Sequence, residues 1–521
     1  MAPTKHSLDP ITPTKITQTV EILRAKYLDQ KVRFKLVDIY DCPKADIIPY
    51  LETERLGNPH FLYKTRVNVT AGDRMDFDDW SEIEHDCNTH PDVLKEIELL
   101  KLPKGARIVN DPWAYGTDDS AGRRRLLQCY MYIVLNDDPE SNHYSLPAPF
   151  SSVFDAITKE PLWIDHRLGD GNEVETTTPW DPVNAVECSA NLLKDPFQTD
   201  LKPLQVQQPQ GPSFEVGGRN VVWQKWSFRP RRRRAGDDVE LGCDCLGATK
   251  YFDGYRTTAD GDVVAMPNVV CMHETGTTSV VRNSQLIVQC TATLANYEYN
   301  FAFMLDQAAA IHFELRATGI VSTMSIRKGV KVPWGTNVAP GVMAAKYQHL
   351  FNIRVDPAID GHANTVAYES HVPAGSEDED PFRCAFKIAE TTVTKAGGYA
   401  LDVDKTRYDD MKPNTFNAKR ALFASKPIWV TRYQDDELFA AGEFTNQSKA
   451  DTGLGVWATR DDDVKDTDVV LWHSFGWNHV PRPEGSPKPS SFFTQNPSND
   501  VPRSSQAINK STLVEASCHK L

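Results

Sequence analysis

The side chains best placed to do chemistry lie in one short stretch, Thr293-Leu294-Ala295-Asn296-Tyr297-Glu298-Tyr299. An alternating apolar run (Leu286, Val288, Cys290) precedes it and another (Phe301, Phe303, Leu305) follows. The stretch therefore reads as the junction between two buried strands. A lone tyrosine at a strand end ordinarily packs and satisfies its hydroxyl. One set between Asn and Glu at such a junction is an odd choice if packing were the only demand. Sulfur offers a second possibility: Cys243-Asp244-Cys245 with Cys271 has the spacing of half a metal site. No second pair with zinc spacing accompanies it, and free buried thiols are the ordinary alternative. A lone histidine on a strand is more often structural than a ligand, and His312 and His473 keep that reading.

The elements that must position these residues follow from pattern. The chain has 521 residues, 40% hydrophobic and 25% charged, which is the composition of an ordinary globular protein of several domains. A formal charge of −14 argues against nucleic acid or an anionic membrane as partner. The basic run Arg231 to Arg234 has no interleaved aromatics and reads as a solvated loop. No early apolar run suggests a signal peptide, and no stretch is long enough to span a bilayer, so the Asn-x-Ser/Thr matches at Asn68, Asn446 and Asn509 read as inert. Thr12-Pro13 opens a helix with Ile16, Val20, Leu23 and Tyr27 on one stripe. An alternating strand (Val32, Phe34, Leu36) and a Pro43-led helix complete a small α/β domain over 1–80. A second occupies 81–200, with a polar stretch around Asp76 to Cys87, a helix through Val93, Leu94, Ile97 and Leu100, and strands at 106–109 and 126–135. From 201 to 500 short β-rich runs broken by Gly, Pro and Asp predict a large antiparallel sandwich, and 501–521 is a polar tail. The expected class is α+β.

Several phrases, in this order, resemble the copper-containing amine oxidases: Asp111-Pro112-Trp113-Ala114-Tyr115-Gly116, Ser141-Asn142-His143-Tyr144, Trp223-Gln224-Lys225-Trp226, Cys271-Met272-His273-Glu274, Arg316-Ala317-Thr318-Gly319-Ile320, Gln348-His349-Leu350-Phe351 and Trp472-His473-Ser474-Phe475-Gly476. The resemblance covers nearly the whole chain and includes the family's Asn-Tyr-(Asp/Glu)-Tyr motif at Asn296-Tyr297-Glu298-Tyr299. It implies that Tyr297 is oxidised in place to topaquinone, positioned by Asn296. It also implies a Cys245–Cys271 disulfide, a homodimer, and the layout of the intracellular fungal or yeast type. Copper(II) favours imidazole nitrogens, and the family holds it with a His-x-His pair and a third His before a Pro-Arg phrase. Here these positions hold Tyr347, His349 and His479, the last in His479-Val480-Pro481-Arg482. Tyr347 departs from the pattern, and a neutral phenol is a poor ligand near pH 7 because its pKa lies about three units higher. A secondary calcium or manganese site would use Asp356 and Asp468, with Ala358 where another carboxylate is usual.

In the family a primary amine forms a Schiff base with the quinone, an aspartate removes a proton, and the aldehyde is released. Dioxygen then regenerates the quinone, giving hydrogen peroxide and ammonia. The aspartate belongs between the Trp-Gln-Lys-Trp and Cys-Asp-Cys phrases. Here Phe228 leads through Arg-Pro-Arg-Arg-Arg-Arg-Ala-Gly to Asp237-Asp238-Val239, too close to Cys243 for either carboxylate to be its equivalent. The base is absent. The chain is similarly short at 275–283 and 485–491, which would leave open edges and unfilled core in a sandwich. Two readings follow: a topaquinone amine oxidase, or a non-turning relative that keeps the fold. A third, a carbohydrate-binding sandwich, rests on exposed Trp223 and Trp226. The ending Cys518-His519-Lys520-Leu521 is close to the peroxisomal Ser-Lys-Leu address.

Overall fold

The computed structural model describes residues 6, 9–28, 32–39, 42–55, 65–70, 77–116, 124–187, 189–193, 206–231, 239, 245–278, 282–375, 378, 380–382, 384–399, 415–442 and 452–482. The chain forms two compact units. One runs to His349 and resumes at Trp477; the other is Leu350–Gly476. Antiparallel sheets dominate and helices are few, as the α+β reading expects. No helix of the described residues is long and apolar enough to cross a membrane.

In the first unit, helix Pro13–Lys26 starts where Thr12 accepts a hydrogen bond from the Lys15 amide at 3.4 Å, with Pro13 pre-set for the first turn. Its apolar stripe buries Ile16 and Val20 against Phe34, Val37 and Ile39. Those three come from strand Arg33–Ile39, which pairs antiparallel with Thr65–Thr70. Helix Lys44–Arg55 follows the first of these strands. The polar stretch after Asp76 is helical. It forms helix Phe77–Thr89, and Ile83 and Cys87 project into a core shared with Val93, Leu100, Leu127 and Phe154. Helix Pro91–Leu99 comes next, and a four-stranded sheet of Arg107–Ala114, Leu126–Val134, Pro147–Asp155 and Pro161–Asp165 completes this layer.

The sheet that carries the central motif has five strands in chain order: Lys250–Thr257, Val263–Thr278, Arg282–Leu294, Tyr297–Asp306 and Ile311–Gly319. The short connection at 275–283 does not leave a gap in it. Strands Val263–Thr278 and Arg282–Leu294 pair without interruption from Cys271↔Gln289 to Thr278↔Arg282, so the shortened segment closes as a hairpin. The stretch at 232–238 and that at 485–491 lie outside the described residues. Trp223 and Trp226 are not an exposed platform. Trp223 is buried and donates to Glu274 Oε1 at 2.7 Å, while half-buried Trp226 donates to the Asp306 carbonyl at 2.7 Å. This removes the carbohydrate-binding reading, since both indole N–H groups are spent on the fold.

In the second unit, a four-stranded sheet is ordered Tyr347–Val355, Val469–His479, Ile428–Arg432, Gly397–Tyr399. The first two strands cross the boundary between units, so Tyr347 to His349 and Trp477 to His479 belong to the first. A separate hairpin pairs Ala367–Pro373 with Phe386–Thr392.

Candidate active site

Tyr297 is the first residue after a two-residue turn. Strands Arg282–Leu294 and Tyr297–Asp306 face each other through Leu294↔Tyr297, leaving Ala295 and Asn296 as the whole connection. Ala295 takes φ 52°, the left-handed conformation that such tight hairpins demand and that glycine ordinarily supplies. Strand alternation buries Tyr297 and Tyr299 on one face and exposes Glu298 on the other. Their neighbours on the far strand are Gly319 and Ala317, small residues that leave the two rings room. A Cβ at Gly319 would collide with the Asn296 carbonyl oxygen and lie 2.8 Å from Tyr297 Cα; its φ is +136°. Asn296 is buried, and its amide donates to the Ile320 carbonyl and to Ser322 Oγ, the latter at 2.9 Å. The turn is thus tied down on both sides of the tyrosine.

Two further strand ends of the same unit bring their side chains to this point. Tyr347 and His349 are two apart on one strand and so share a face; Trp477 and His479 do the same on another. The Tyr297 hydroxyl hydrogen-bonds the Tyr347 hydroxyl and lies 3.1 Å from His479 Nδ1. The His349 ring stands edge-on to Tyr297 at 5.1 Å between centroids, and the two imidazoles are 5.8 Å apart. Tyr299, which the sequence reading left without a role, places its hydroxyl in hydrogen-bond contact with His349 Nδ1 at 2.8 Å. Trp477 stacks on His349 at 5.4 Å. Both residues were findable in principle, each sitting two positions from a singled-out residue on the same strand.

Burial sets the protonation of this group. Desolvation lowers His349 to about 4, with the neighbouring His479 adding to the effect, and burial alone takes His479 to about 4. Both rings are neutral at pH 7, with lone pairs available. Burial raises the Tyr347 phenol, against a weaker lowering by a Ser322 backbone hydrogen bond, and raises Tyr299 to about 12. Both phenols therefore keep their protons. Two neutral imidazoles and a phenol oxygen meet beside a buried tyrosine, a donor set that suits copper(II) better than calcium or magnesium.

The other singled-out residues lie elsewhere. Cys245 and Cys271 form a disulfide. Asp356 pairs with Arg354 at 3.5 Å, and the Asp468 carbonyl accepts from the Tyr433 amide at 2.7 Å. Among the described residues neither aspartate belongs to a group of three or more His, Cys, Asp or Glu side chains with converging ligand atoms.

Comparison with known proteins gives a consistent result. The profile for "copper amine oxidase, enzyme domain" matches residues 232–412 and 392–508. The chain is 30% identical to "Copper amine oxidase 1" of Aspergillus niger, with 95% of this chain and 97% of that protein covered. It is 26% identical to "Peroxisomal primary amine oxidase" of Pichia angusta, covering 84% and 80%. A solved structure of a copper-containing benzylamine oxidase from Hansenula polymorpha superposes with a TM-score of 0.86 at 35% identity, covering 92% of this chain and 95% of that one.

Proposed function

This chain belongs to the copper amine oxidase family, whose chemistry is amine oxidation, and from that premise we propose that Tyr297 is the residue oxidised in place to topaquinone. His349 and His479 would hold copper(II) beside it, with the Tyr347 oxygen as a weaker third donor. The observation that carries this reading is the meeting of the Tyr297 hydroxyl with Tyr347 and with His479 Nδ1 at 3.1 Å, under a neutral His349 ring. Copper and the quinone would supply the redox chemistry: a primary amine, dioxygen and water become an aldehyde, ammonia and hydrogen peroxide.

The chain's own residues prepare the site. With His349 Nδ1–H donating to the Tyr299 hydroxyl, Nε2 would be left as the nitrogen for a metal, the usual device by which an outer partner fixes a ligand's tautomer. Asn296 anchors the turn through Ile320 and Ser322. Burial of Tyr297, 7% exposed, shields the ring from bulk water. A calcium or manganese ion at Asp356 and Asp468, and a homodimer, complete the assignment by family likeness. Copper-loaded protein held in air should become labelled by phenylhydrazine, and Tyr297→Phe should not. Equal labelling of the two proteins would sink the assignment.

One observation favours a second reading, in which the quinone forms but amines are not turned over. Among the described residues no carboxylate is hydrogen-bonded to Tyr297, and the phrase that should carry the base is reduced to the ten residues between Phe228 and Val239. For compartment, the ending His519-Lys520-Leu521 and the peroxisomal relative support a peroxisomal address. A fluorescent reporter carrying this tail should gather in peroxisomes, and one that stays diffuse would refute the address.

A further inference from the structure

Cys245, Cys271 and His273 are the group, among the described residues, in which three metal-ligating side chains converge. Their ligand atoms all lie within 4.8 Å of one another and all three residues are buried. The two cysteines are joined as a disulfide, and His273 Nδ1 lies 3.8 Å from Cys271 Sγ. Alternation places Cys271 and His273 on one face of strand Val263–Thr278. Opposite Cys271 on the next strand stands Gln289, itself 3% exposed. Its amide Nε2 is directed at both sulfurs, 3.5 Å from Cys245 and 3.8 Å from Cys271. Val239, fully buried, belongs to the same cluster as the two cysteines, and Tyr251 packs against it.

A disulfide requires neither an imidazole at its flank nor an amide donor aimed at both sulfurs, because its sulfurs are weak acceptors. Thiolates benefit from both. From this arrangement we infer a second metal site: once the bridge is reduced, Cys245, Cys271 and His273 bind a thiophilic divalent cation, zinc. A dithiol reductant delivers two electrons and two protons to the disulfide and becomes a disulfide itself. The two thiols then give up those protons as zinc binds, leaving two thiolates and a neutral imidazole on the ion.

The distances are close to what this needs. Tetrahedral zinc, with Zn–S about 2.3 Å and Zn–N about 2.0 Å, sets its ligand atoms roughly 3.5–3.8 Å apart. The imidazole-to-sulfur separation already has that value, so the main change is that the two sulfurs part. A flip of the Gln289 amide brings its oxygen to where its nitrogen now points and supplies a fourth donor, an exchange of two nearly isosteric groups. Oxidised, the pair staples the sheet covalently; reduced, zinc staples it at the same place. Compartment decides between the two, since intracellular thiols are ordinarily kept reduced.

Cobalt(II) is the probe. Full-length protein in a Cys243→Ser background is reduced with a dithiol, desalted without air, and titrated with cobalt chloride. The expected result is a thiolate-to-cobalt charge-transfer band in the near ultraviolet, displaced by zinc and missing from the oxidised protein. His349 and His479 cannot give that band, having no thiolate. His273→Gln should weaken cobalt binding at least tenfold, and Cys245→Ser with Cys271→Ser should abolish the band. If the reduced chain loses its fold, zinc should restore its melting transition. A reduced protein with free thiols but no band overturns the inference. So does a band that survives loss of both cysteines, or one with unchanged affinity in His273→Gln.

Discussion

At the scale of single residues, the decisive substitution is a phenol where an imidazole would serve better. Tyr347 shares its strand face with His349, so a histidine there would present a second nitrogen to the same point. Burial holds the Tyr347 phenol protonated, and a protonated phenol is a weak donor to copper(II). Tyr347→His should therefore tighten copper binding by about tenfold or more, each tenfold being about 1.4 kcal/mol. Competition against a chelator of known affinity measures it, and an unchanged affinity would mean that copper is not held between these strand ends. The sequence showed Tyr297, His349 and His479 as candidates because their phrases are distinctive. It could not show that the Tyr297 and Tyr347 hydroxyls touch, because that contact joins residues 50 positions apart and depends on strands meeting in space. Tyr299 was missed for the same reason, its partner His349 being equally remote in sequence.

At the scale of elements, the hairpin is the device that aims Tyr297, and its two backbone peculiarities pull in opposite directions. Gly319 faces Tyr297 where no side chain fits. Gly319→Ala must push the Asn296–Tyr297 backbone aside, which should cost roughly 1–3 kcal/mol as overpacking does. It should also reduce phenylhydrazine labelling, because the ring would move from its partners. Ala295 carries a left-handed φ without being glycine. Ala295→Gly relieves a conformation worth roughly 1–2 kcal/mol for an L-residue, less the added freedom of the unfolded chain. Thermal melts of both variants check the pair. A Gly319→Ala protein that melts and labels like the parent would show that the close approach is not needed. The alternation on either side of this turn made the two strands legible, whereas the strain at Ala295 and the approach at Gly319 are products of pairing. Helix Phe77–Thr89 was missed for a different cause. Its apolar residues Trp80, Ile83 and Cys87 recur at helical spacing, but acidic and polar neighbours outnumber them and the stretch reads only as polar.

At the scale of the whole molecule, the chain matches a relative over nearly its whole length and yet is shorter internally. The match to the Aspergillus niger protein runs over 648 residues, more than the 521 present here, while covering 97% of that relative. The difference is sequence that the relative has and this chain lacks internally. Natural loop loss spares core strands, because removing them costs packing throughout a domain. The shortening at 275–283 obeys that rule, since the five-stranded sheet stays continuous through it. The phrase between Phe228 and Val239 is the more serious loss, since the family resemblance puts the expected proton-abstracting aspartate there. General-base catalysis contributes about 10²–10⁴ in rate, and among the described residues nothing hydrogen-bonded to Tyr297 replaces it: its partners there are a protonated phenol and a neutral imidazole. The chain with this sequence should give no measurable hydrogen peroxide from primary amines, even where Tyr297 becomes labelled. A peroxide-coupled assay over several primary amines checks this, and turnover of any of them would discard it. Sequencing the mature message across the codons for Phe228 to Val239 tests the cause. Coding sequence wrongly read as intron would reappear there as additional codons carrying an aspartate, and the restored protein should then oxidise amines. A message that joins Phe228 to Val239 as written would instead make the loss a property of the gene.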